Sequence, residues 1–243
     1  MVTQPIRIVP LHPGPAAAPV TPAQLTYRGG PLLDAVQVVT AFWGAEWLAG
    51  EAPLLTQLND FFLYILDSPL MDQLAEYSVP DTQIGHGSLA GTEIITDTQP
   101  GSTVTDAQVR NVIQNEITSA KLPTSSVNSL YFVYLPPGVA VDLNGQVSCS
   151  GFCGYHDSFA GGIYYAVMPY PDCSGCVGGL HLLDALTSTS SHELCEAVTD
   201  PVPGTGWYDD ANGEIGDICA WRTKQLSSWT VQLEWSNQEG ACI

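Results

Sequence analysis

The chain of 243 residues is 45% apolar, which is enough to bury one large α/β core or two small ones. It carries 25 Asp and Glu residues against only 6 Lys and Arg residues, and its formal net charge at pH 7 is −19. So few cations cannot form a basic patch, which argues against nucleic acid and anionic membranes as partners. No apolar run approaches the roughly 18 residues of a membrane span, so we expect no membrane span.

The N-terminal residues 1–30 are predicted to form an extended, proline-rich arm. This segment lacks the apolar core of a signal peptide, so the compartment has to be inferred from the cysteines. Residues 31–243 are expected to form one domain. The prolines of the arm are Pro5, Pro10, Pro13, Pro15, Pro19 and Pro22.

Strands and helices are predicted to alternate after the arm, which indicates an α/β (α+β) domain with a mixed sheet. Runs of β-branched and aromatic residues predict strands at 35–43, 130–135, 162–168 and 230–235. Helical spacing of apolar residues predicts helices at 53–66, 69–77 and 182–199, and a capping box at 105–108 predicts the start of another.

The helix predicted at 182–199 carries the motif HELCE at residues 192–196. His192 and Glu196 are four residues apart, so on a helix their side chains lie on one face and can bind one metal ion. Glu193 is rotated by about 100° from His192, which places its carboxylate beside the ion, where a metallopeptidase has its general base. A zinc-peptidase helix reads HExxH, whereas this one reads HExxE.

A third ligand is expected from the acidic residues that follow the helix. Glu214 and Asp217 lie about twenty residues downstream, and Gly213 and Gly216 beside them indicate a tight, non-helical path. Asp217 is favoured because a bridged Cys219 would fix its backbone. Glu214 would then lie behind the ligands or face a substrate.

The expected cofactor is a divalent metal, first of all zinc, with calcium or manganese as alternatives. Carboxylate-rich coordination makes the ion a weaker Lewis acid and brings these other metals within range. The sequence therefore supports equally a structural ion that joins the helix to the loop at 204–217 and a catalytic ion. His156, in a Gly-rich segment, is a second catalytic candidate that stabilises an oxyanion or binds the metal, unless it is a locally hydrogen-bonded loop residue.

Seven cysteines favour an oxidising compartment and disulfide bonds. The spacing predicts small loops closed by Cys149–Cys153 and Cys173–Cys176, a clip from Cys219 to Cys242, and a free thiol at Cys195. A zinc knuckle formed by the first four cysteines, and a redox-active CxxC at Cys173, are the alternatives.

The segment around His192 resembles the active helix of thermolysin-like metallopeptidases, which also have a downstream acidic ligand on a Gly-containing segment. The resemblance covers about thirty residues. It implies a zincin-like domain, metal binding by His192, a general base at Glu193, and a third ligand from Glu214 or Asp217.

A broader set of motifs after residue 39 resembles the EXORDIUM/phosphate-induced protein 1 family. That family is extracellular, occurs in plants and bacteria, and is associated with growth signalling or cell-wall function without a secure enzymatic activity. The resemblance thus implies a secreted, disulfide-bonded protein. The motifs are TAFWG at 40–44, CGYH at 153–156, YAVMPYP at 165–171, SHELCEAVTDP at 191–201, GWYDD at 206–210 and GEIGDIC at 213–219.

Two hypotheses follow for the function. The leading one is a secreted, zincin-like metallopeptidase, in which Glu193 activates a water molecule for attack on a peptide bond of a peptide or protein substrate. The other is a non-enzymatic extracellular binding or signalling protein with a structural metal and an extracellular partner.

Overall fold

The computed structural model describes residues 8–12 and 22–243. Residues 1–7 and 13–21 of the predicted arm lie outside the described residues. Within the arm, Ile8–Pro10 forms a strand. No helix in the described ranges has the length and apolar character needed to cross a membrane.

The strands are numbered in chain order: β1 Ile8–Pro10, β2 Thr26–Tyr27, β3 Gln37–Trp43, β4 Ser88–Ile95, β5 Thr103–Thr105, β6 Ser129–Tyr134, β7 Ala140–Leu143, β8 Gln146–Val147, β9 Phe152–Phe159, β10 Ile163–Met168, β11 Trp207–Tyr208, β12 Thr223–Leu226, β13 Trp229–Gln232, β14 Trp235–Ser236 and β15 Ala241–Cys242. The α-helices are α1 Ala52–Ile65, α2 Pro69–Leu74, α3 Asp106–Thr118, α4 Ser174–Val177 and α5 Leu182–Thr199. Short 3-10 helices lie at Ala45–Leu48, Ala75–Tyr77 and Asp217–Cys219.

A mixed sheet in the order β1-β9-β10-β6-β3-β4 forms the centre of the molecule. Strands β10, β6, β3 and β4 run parallel, whereas β9 is antiparallel to both β10 and β1. Helices α1, α2 and α5 pack on one face and α3 packs on the other, because alternate side chains of each strand enter opposite layers. The predicted mixed α/β class is therefore confirmed.

One interpretation of the sequence, a loop around His156, was wrong. β10 lies in the interior of the sheet, between β9 and β6. The segment around His156 was expected to be a loop, but it is strand β9, which pairs along its length with β10. Gly154 interrupts the β-branched and aromatic residues by which a strand is predicted from sequence. Glycine is required at this position because a Cβ would lie 2.7 Å from Thr189 on α5.

The capping box is present at the start of α3. The Thr105 side chain accepts a hydrogen bond from the backbone N–H of Gln108, and the Gln108 side chain accepts one from the backbone N–H of Thr105. These two bonds satisfy N–H groups that a helix start leaves open.

Two of the three predicted disulfide pairings were wrong. The bridges are Cys149–Cys173, Cys153–Cys176 and Cys219–Cys242, so only the last of these was predicted correctly. Helix α4 lies against β9, which brings each cysteine of the CxxC pair to a cysteine near β9 instead of to its neighbour. Because each bridge closes more than twenty residues, the chain-entropy estimate is about 3 kcal/mol apiece.

We expect thiol labelling to find one cysteine per chain in unfolded, non-reduced protein and none in folded protein. Cys195 is the free thiol, as predicted, and it is completely buried in α5. Labelling with iodoacetamide followed by intact-mass analysis measures both states. Two or more labelled thiols in the unfolded, non-reduced chain would contradict the three bridges.

Candidate metal centre

Helix α5 is buried on all sides along most of its length, from Ala185 to Thr199. It can lie this close to its neighbours because residues 187–191 are all Ser or Thr, whose small side chains leave room for other backbones. The hydroxyl of Ser191 accepts a hydrogen bond of 2.9 Å from the backbone N–H of Gln232 on β13, and Gly154 of β9 faces Thr189. The helix therefore holds its polar residues inside the protein.

A cluster of imidazole and carboxylate groups lies where α5, β9, the loop after β11 and the segment after β13 meet. We call it the buried acidic cluster. None of its members is more than 1% exposed, which is rare for ionisable side chains unless they are paired or bind a metal. Its members are His156, His192, Glu193, Glu196, Asp200, Glu214 and Glu234.

His192, Glu196 and Asp217 form the first potential metal-binding group, with one ligand atom of each within 4.8 Å of the others. His192 Nε2 lies 2.9 Å from Glu196 Oε1, as the spacing of four residues on one helix face predicts. Asp217 begins the 3-10 helix at Asp217–Cys219, and its backbone N–H donates a 3.0 Å hydrogen bond to Glu196 Oε1. The disulfide from Cys219 to Cys242 anchors this short helix.

His156, Glu193 and Glu196 form the second such group. His156 Nδ1 lies 3.0 Å from Glu193 Oε2 and 3.4 Å from Glu196 Oε2. His156 reaches α5 because residues of a strand alternate between faces, and its neighbour Tyr155 enters the opposite layer. Glu196 thus belongs to both groups.

Several atoms of the buried acidic cluster have no hydrogen-bond partner among the described residues. They are both ring nitrogens of His192, Glu193 Oε1, Glu196 Oε2 and both carboxylate oxygens of Glu214 and of Glu234. The His192 ring is 2.9 Å from Glu196, yet the pair lacks hydrogen-bond geometry, so the two atoms approach each other without bonding. A buried polar atom without a partner is costly, and side chains that converge without hydrogen bonds are typical of metal ligands.

Burial and mutual repulsion dominate the electrostatics of the carboxylates. Burial raises the pKa of Glu193, and it raises the pKa of Glu214 and of Glu234 well above the usual value. Glu196 differs: although burial opposes ionisation, His192 and His156 lower its pKa to about 2. Glu196 is therefore the carboxylate of the cluster that the two neighbouring histidines stabilise in its ionised form.

The same negative field acts on the imidazoles. Burial lowers the pKa of His192, but Glu196, Glu193 and Glu234 outweigh it and raise that pKa well above the usual value. A field that holds a proton on an imidazole also attracts a metal cation, and the two compete for the same nitrogen.

Two glycines of the GEIGD segment let the loop approach the helix. A Cβ at Gly216 would lie 2.8 Å from the ring of His192, so only a glycine fits over this imidazole. Gly213 has a φ of +92°, which favours glycine, and it lies beside the carboxylate of Asp217. The side chain of Gln232 holds this loop by donating a 2.9 Å hydrogen bond to the Gly216 carbonyl.

The Glu214 carboxylate lies beside His156. Its Oε1 is 3.6 Å from Nε2 of His156, and it belongs to neither of the two potential metal-binding groups found in the described residues. The geometry thus separates the two acidic candidates, with Asp217 beside His192 and Glu214 beside His156.

Asp200 and Glu234 were missed in the sequence. The Asp200 carboxylate accepts hydrogen bonds from the backbone N–H groups of Gly204, Thr205 and Gly206, which folds the start of the loop back onto the helix end. Its position directly after the helix and before Pro201 was the available signal. Glu234 lies between strands β13 and β14, and only the fold places it near His192.

Asp209, the first residue of the acidic loop DDANG, uses its carboxylate to hold a turn. Its carboxylate accepts hydrogen bonds from the backbone N–H groups of Gln24, Ala211 and Asn212 and from the Asn212 side chain. These donors build a turn.

Comparison with known proteins gives no family for this chain. No protein-family model, no curated protein and no solved structure matches it.

Proposed function

We propose that this is an extracellular metalloprotein in which a divalent cation, bound by His192, Glu196 and Asp217, joins α5 to the loop at 206–219 as a structural element. The set of unpartnered, fully buried polar atoms around His192 and Glu196 is the observation that carries the proposal. An ion at this position would give these atoms ligand bonds in place of the hydrogen bonds that they lack.

The charge of the cluster supports a cation. Five buried carboxylates face two imidazoles, so full ionisation of the carboxylates, which their burial opposes, would leave three net negative charges even with both imidazoles protonated. In the described part of the chain, no Lys or Arg nitrogen lies within ion-pair distance of these five carboxylates. Uncompensated buried charge is expensive, and a divalent cation compensates it directly.

Zinc fits the donor set best. Zinc accepts both imidazole nitrogen and carboxylate oxygen as ligands. Calcium prefers six to eight oxygen ligands, which makes an imidazole-containing site less suitable for it. Manganese tolerates the same mixed ligands and is the first alternative.

An extracellular location is supported by the three disulfides, because such bonds persist mainly in oxidising compartments. The motifs that resemble the EXORDIUM family, which are spread along the chain from TAFWG to GEIGDIC, support the same compartment and a partner outside the cell. In this proposal the ion stabilises the protein, and the partner binds elsewhere on its surface.

A metallopeptidase is the second candidate, because Glu193 places an unpartnered carboxylate oxygen beside the potential ligands of one ion. In that case Glu193 would accept a proton from the attacking water while the ion polarised the peptide carbonyl. The resemblance to zincin-like metallopeptidases rests on helix α5. A catalytic role requires the site to open, since His192, Glu193 and Glu196 are completely buried and a peptide has no access to them.

Replacing Glu193 by Gln distinguishes the two candidates. We expect Glu193→Gln to keep the ion at His192. The wild type and Glu193→Gln should show the same background level of peptide cleavage, because a structural site needs no general base. Cleavage of a denatured protein or a peptide library by metal-loaded protein, followed by mass spectrometry, measures this. Cleavage by the wild type that is abolished in Glu193→Gln would establish the peptidase instead.

We expect Asp217→Asn to weaken metal binding at least about 100-fold, whereas Glu214→Gln should change it by no more than about tenfold. Asp217 has a ligand atom within 4.8 Å of those of His192 and Glu196, and Glu214 is not in that group. Both changes replace a carboxylate by an amide of similar shape, so each serves as the control for the other. Competition with a chromophoric chelator measures the two affinities, and the reverse ranking would assign the third ligand to Glu214.

A further inference from the structure

The two potential metal-binding groups share Glu196, and each of its oxygens belongs to a different one. Oε1 lies 2.9 Å from His192 Nε2 and accepts the backbone N–H of Asp217. Oε2 is turned towards His156 Nδ1, at 3.4 Å, and has no hydrogen-bond partner among the described residues. One carboxylate therefore faces two separate sets of ligand atoms.

The hydrogen bonds of His156 define which of its nitrogens can bind a cation. Nε2 lies 3.2 Å from the backbone carbonyl oxygen of Asp200. A carbonyl oxygen only accepts, so Nε2 carries the hydrogen and donates it. A metal-ligating histidine usually donates its other ring N–H to a carbonyl or carboxylate in this way, which fixes the ring. Nδ1 is then the nitrogen that faces Glu193 and Glu196.

Glu193 supplies the remaining donor of this second group. Its Oε2 forms a 3.0 Å hydrogen bond with His156 Nδ1, which a bound ion would replace, and its Oε1 has no partner in the part of the chain that the structure describes. Both residues are completely or almost completely buried, and Gly154 leaves the space that their approach requires, since a Cβ there would lie 3.3 Å from Glu193 Oε1. The second group is thus enclosed by the protein in the same way as the first.

We propose that the buried acidic cluster binds two divalent cations, one held by His192, Glu196 and Asp217 and one by His156, Glu193 and Glu196, with the carboxylate of Glu196 bridging them. This inference rests on the proposed function and extends it from one ion to a dinuclear centre. Two metal ions that share ligands typically lie about 3.5–4 Å apart, a separation that the two oxygens of one carboxylate span. The second ion also compensates carboxylates that a single divalent ion leaves uncompensated.

The number of zinc ions per chain tests the dinuclear centre. Chelator-treated full-length protein is dialysed against Zn²⁺, passed over a chelating resin to remove weakly held ions, and measured by native mass spectrometry. We expect two ions in the wild type and one in both Glu193→Gln and His156→Gln, with the affinity of the lost ion reduced at least about 100-fold. Asp157→Asn is the matched control, because Asp157 follows His156 on β9 and is expected on the opposite face of the strand; it should keep two ions.

The other outcomes separate this inference from the proposed function. One ion in the wild type, retained in Glu193→Gln and lost in a His192 variant, would overturn the dinuclear centre alone. Two ions in the wild type, in Glu193→Gln and in His156→Gln would place the second ion elsewhere. This result would also overturn the dinuclear centre. No retained ion in the wild type would overturn both proposals. Circular dichroism of the variants, compared with the wild type, verifies that each lost ion is not the result of an unfolded chain.

Discussion

Removal of the ion with a strong chelator is expected to lower the melting temperature by roughly 8–16 °C. An ion present at about 1,000 times its dissociation constant stabilises the folded state by about 4 kcal/mol, and 1 kcal/mol corresponds to about 2–4 °C in a chain of this size. The physical reason is that the carboxylates around His192 lose their compensating charge and remain buried. Differential scanning calorimetry before and after chelation measures the shift.

Two controls assign this shift to the metal. Adding Zn²⁺ back in slight excess should restore the original transition, and chelator already saturated with Zn²⁺ should have no effect. The three disulfides do not change under these conditions, so the covalent constraints are the same in every sample. A melting temperature that chelation leaves within about 2 °C of the original would contradict a structural ion.

The second large effect is expected from His192→Gln. This change removes the imidazole that approaches Glu196 while keeping a polar side chain, so Glu196 and Asp217 are left without their neutral nitrogen ligand. We expect loss of the ion and destabilisation by about 3–5 kcal/mol, the range found when one partner of a buried charged pair is removed. Metal analysis and urea unfolding of the same preparation measure the two effects.

The variant should also respond to chelation differently from the wild type. If His192 acts through the ion, chelation adds nothing to the destabilisation by His192→Gln, because both changes remove the same interaction. His181→Gln is the matched control, since His181 lies at the N-terminal end of the same helix but is exposed. Additive effects of chelation and His192→Gln would show that the histidine stabilises the fold independently of the metal.

Strong local patterns predicted the elements that position the site. The helix predicted at 182–199 corresponds to α5, and the strands predicted near 130–135 and 162–168 correspond to β6 and β10. Parallel strands buried on both faces read as continuous apolar runs, which is why these two were visible. Strand β4 was not predicted, because it is an edge strand with a glycine, Gly91, in its interior.

The candidate site was only partly predictable for a related reason. His192 and Glu196 are paired by the helical repeat itself, so their proximity follows from the sequence. His156 reaches them only through the register of β9 on β10, and Glu234 only through the packing of the chain after β13. Such long-range proximity is set by tertiary structure and leaves no local pattern. Two of the three disulfide pairings were missed for the same reason, because cysteine spacing does not define connectivity.

The most direct test of the account is an anomalous difference map from crystals grown without chelator, with data collected at the absorption edge of zinc. We expect a strong peak within about 2.0–2.2 Å of a His192 ring nitrogen and of carboxylate oxygens of Glu196 and Asp217, the usual distances for zinc ligands. Data collected at the manganese edge cover the alternative metal in the same crystals. A well-ordered cluster without a peak at either edge, in which His192 and Glu196 are joined by an aligned hydrogen bond, would contradict the metal centre.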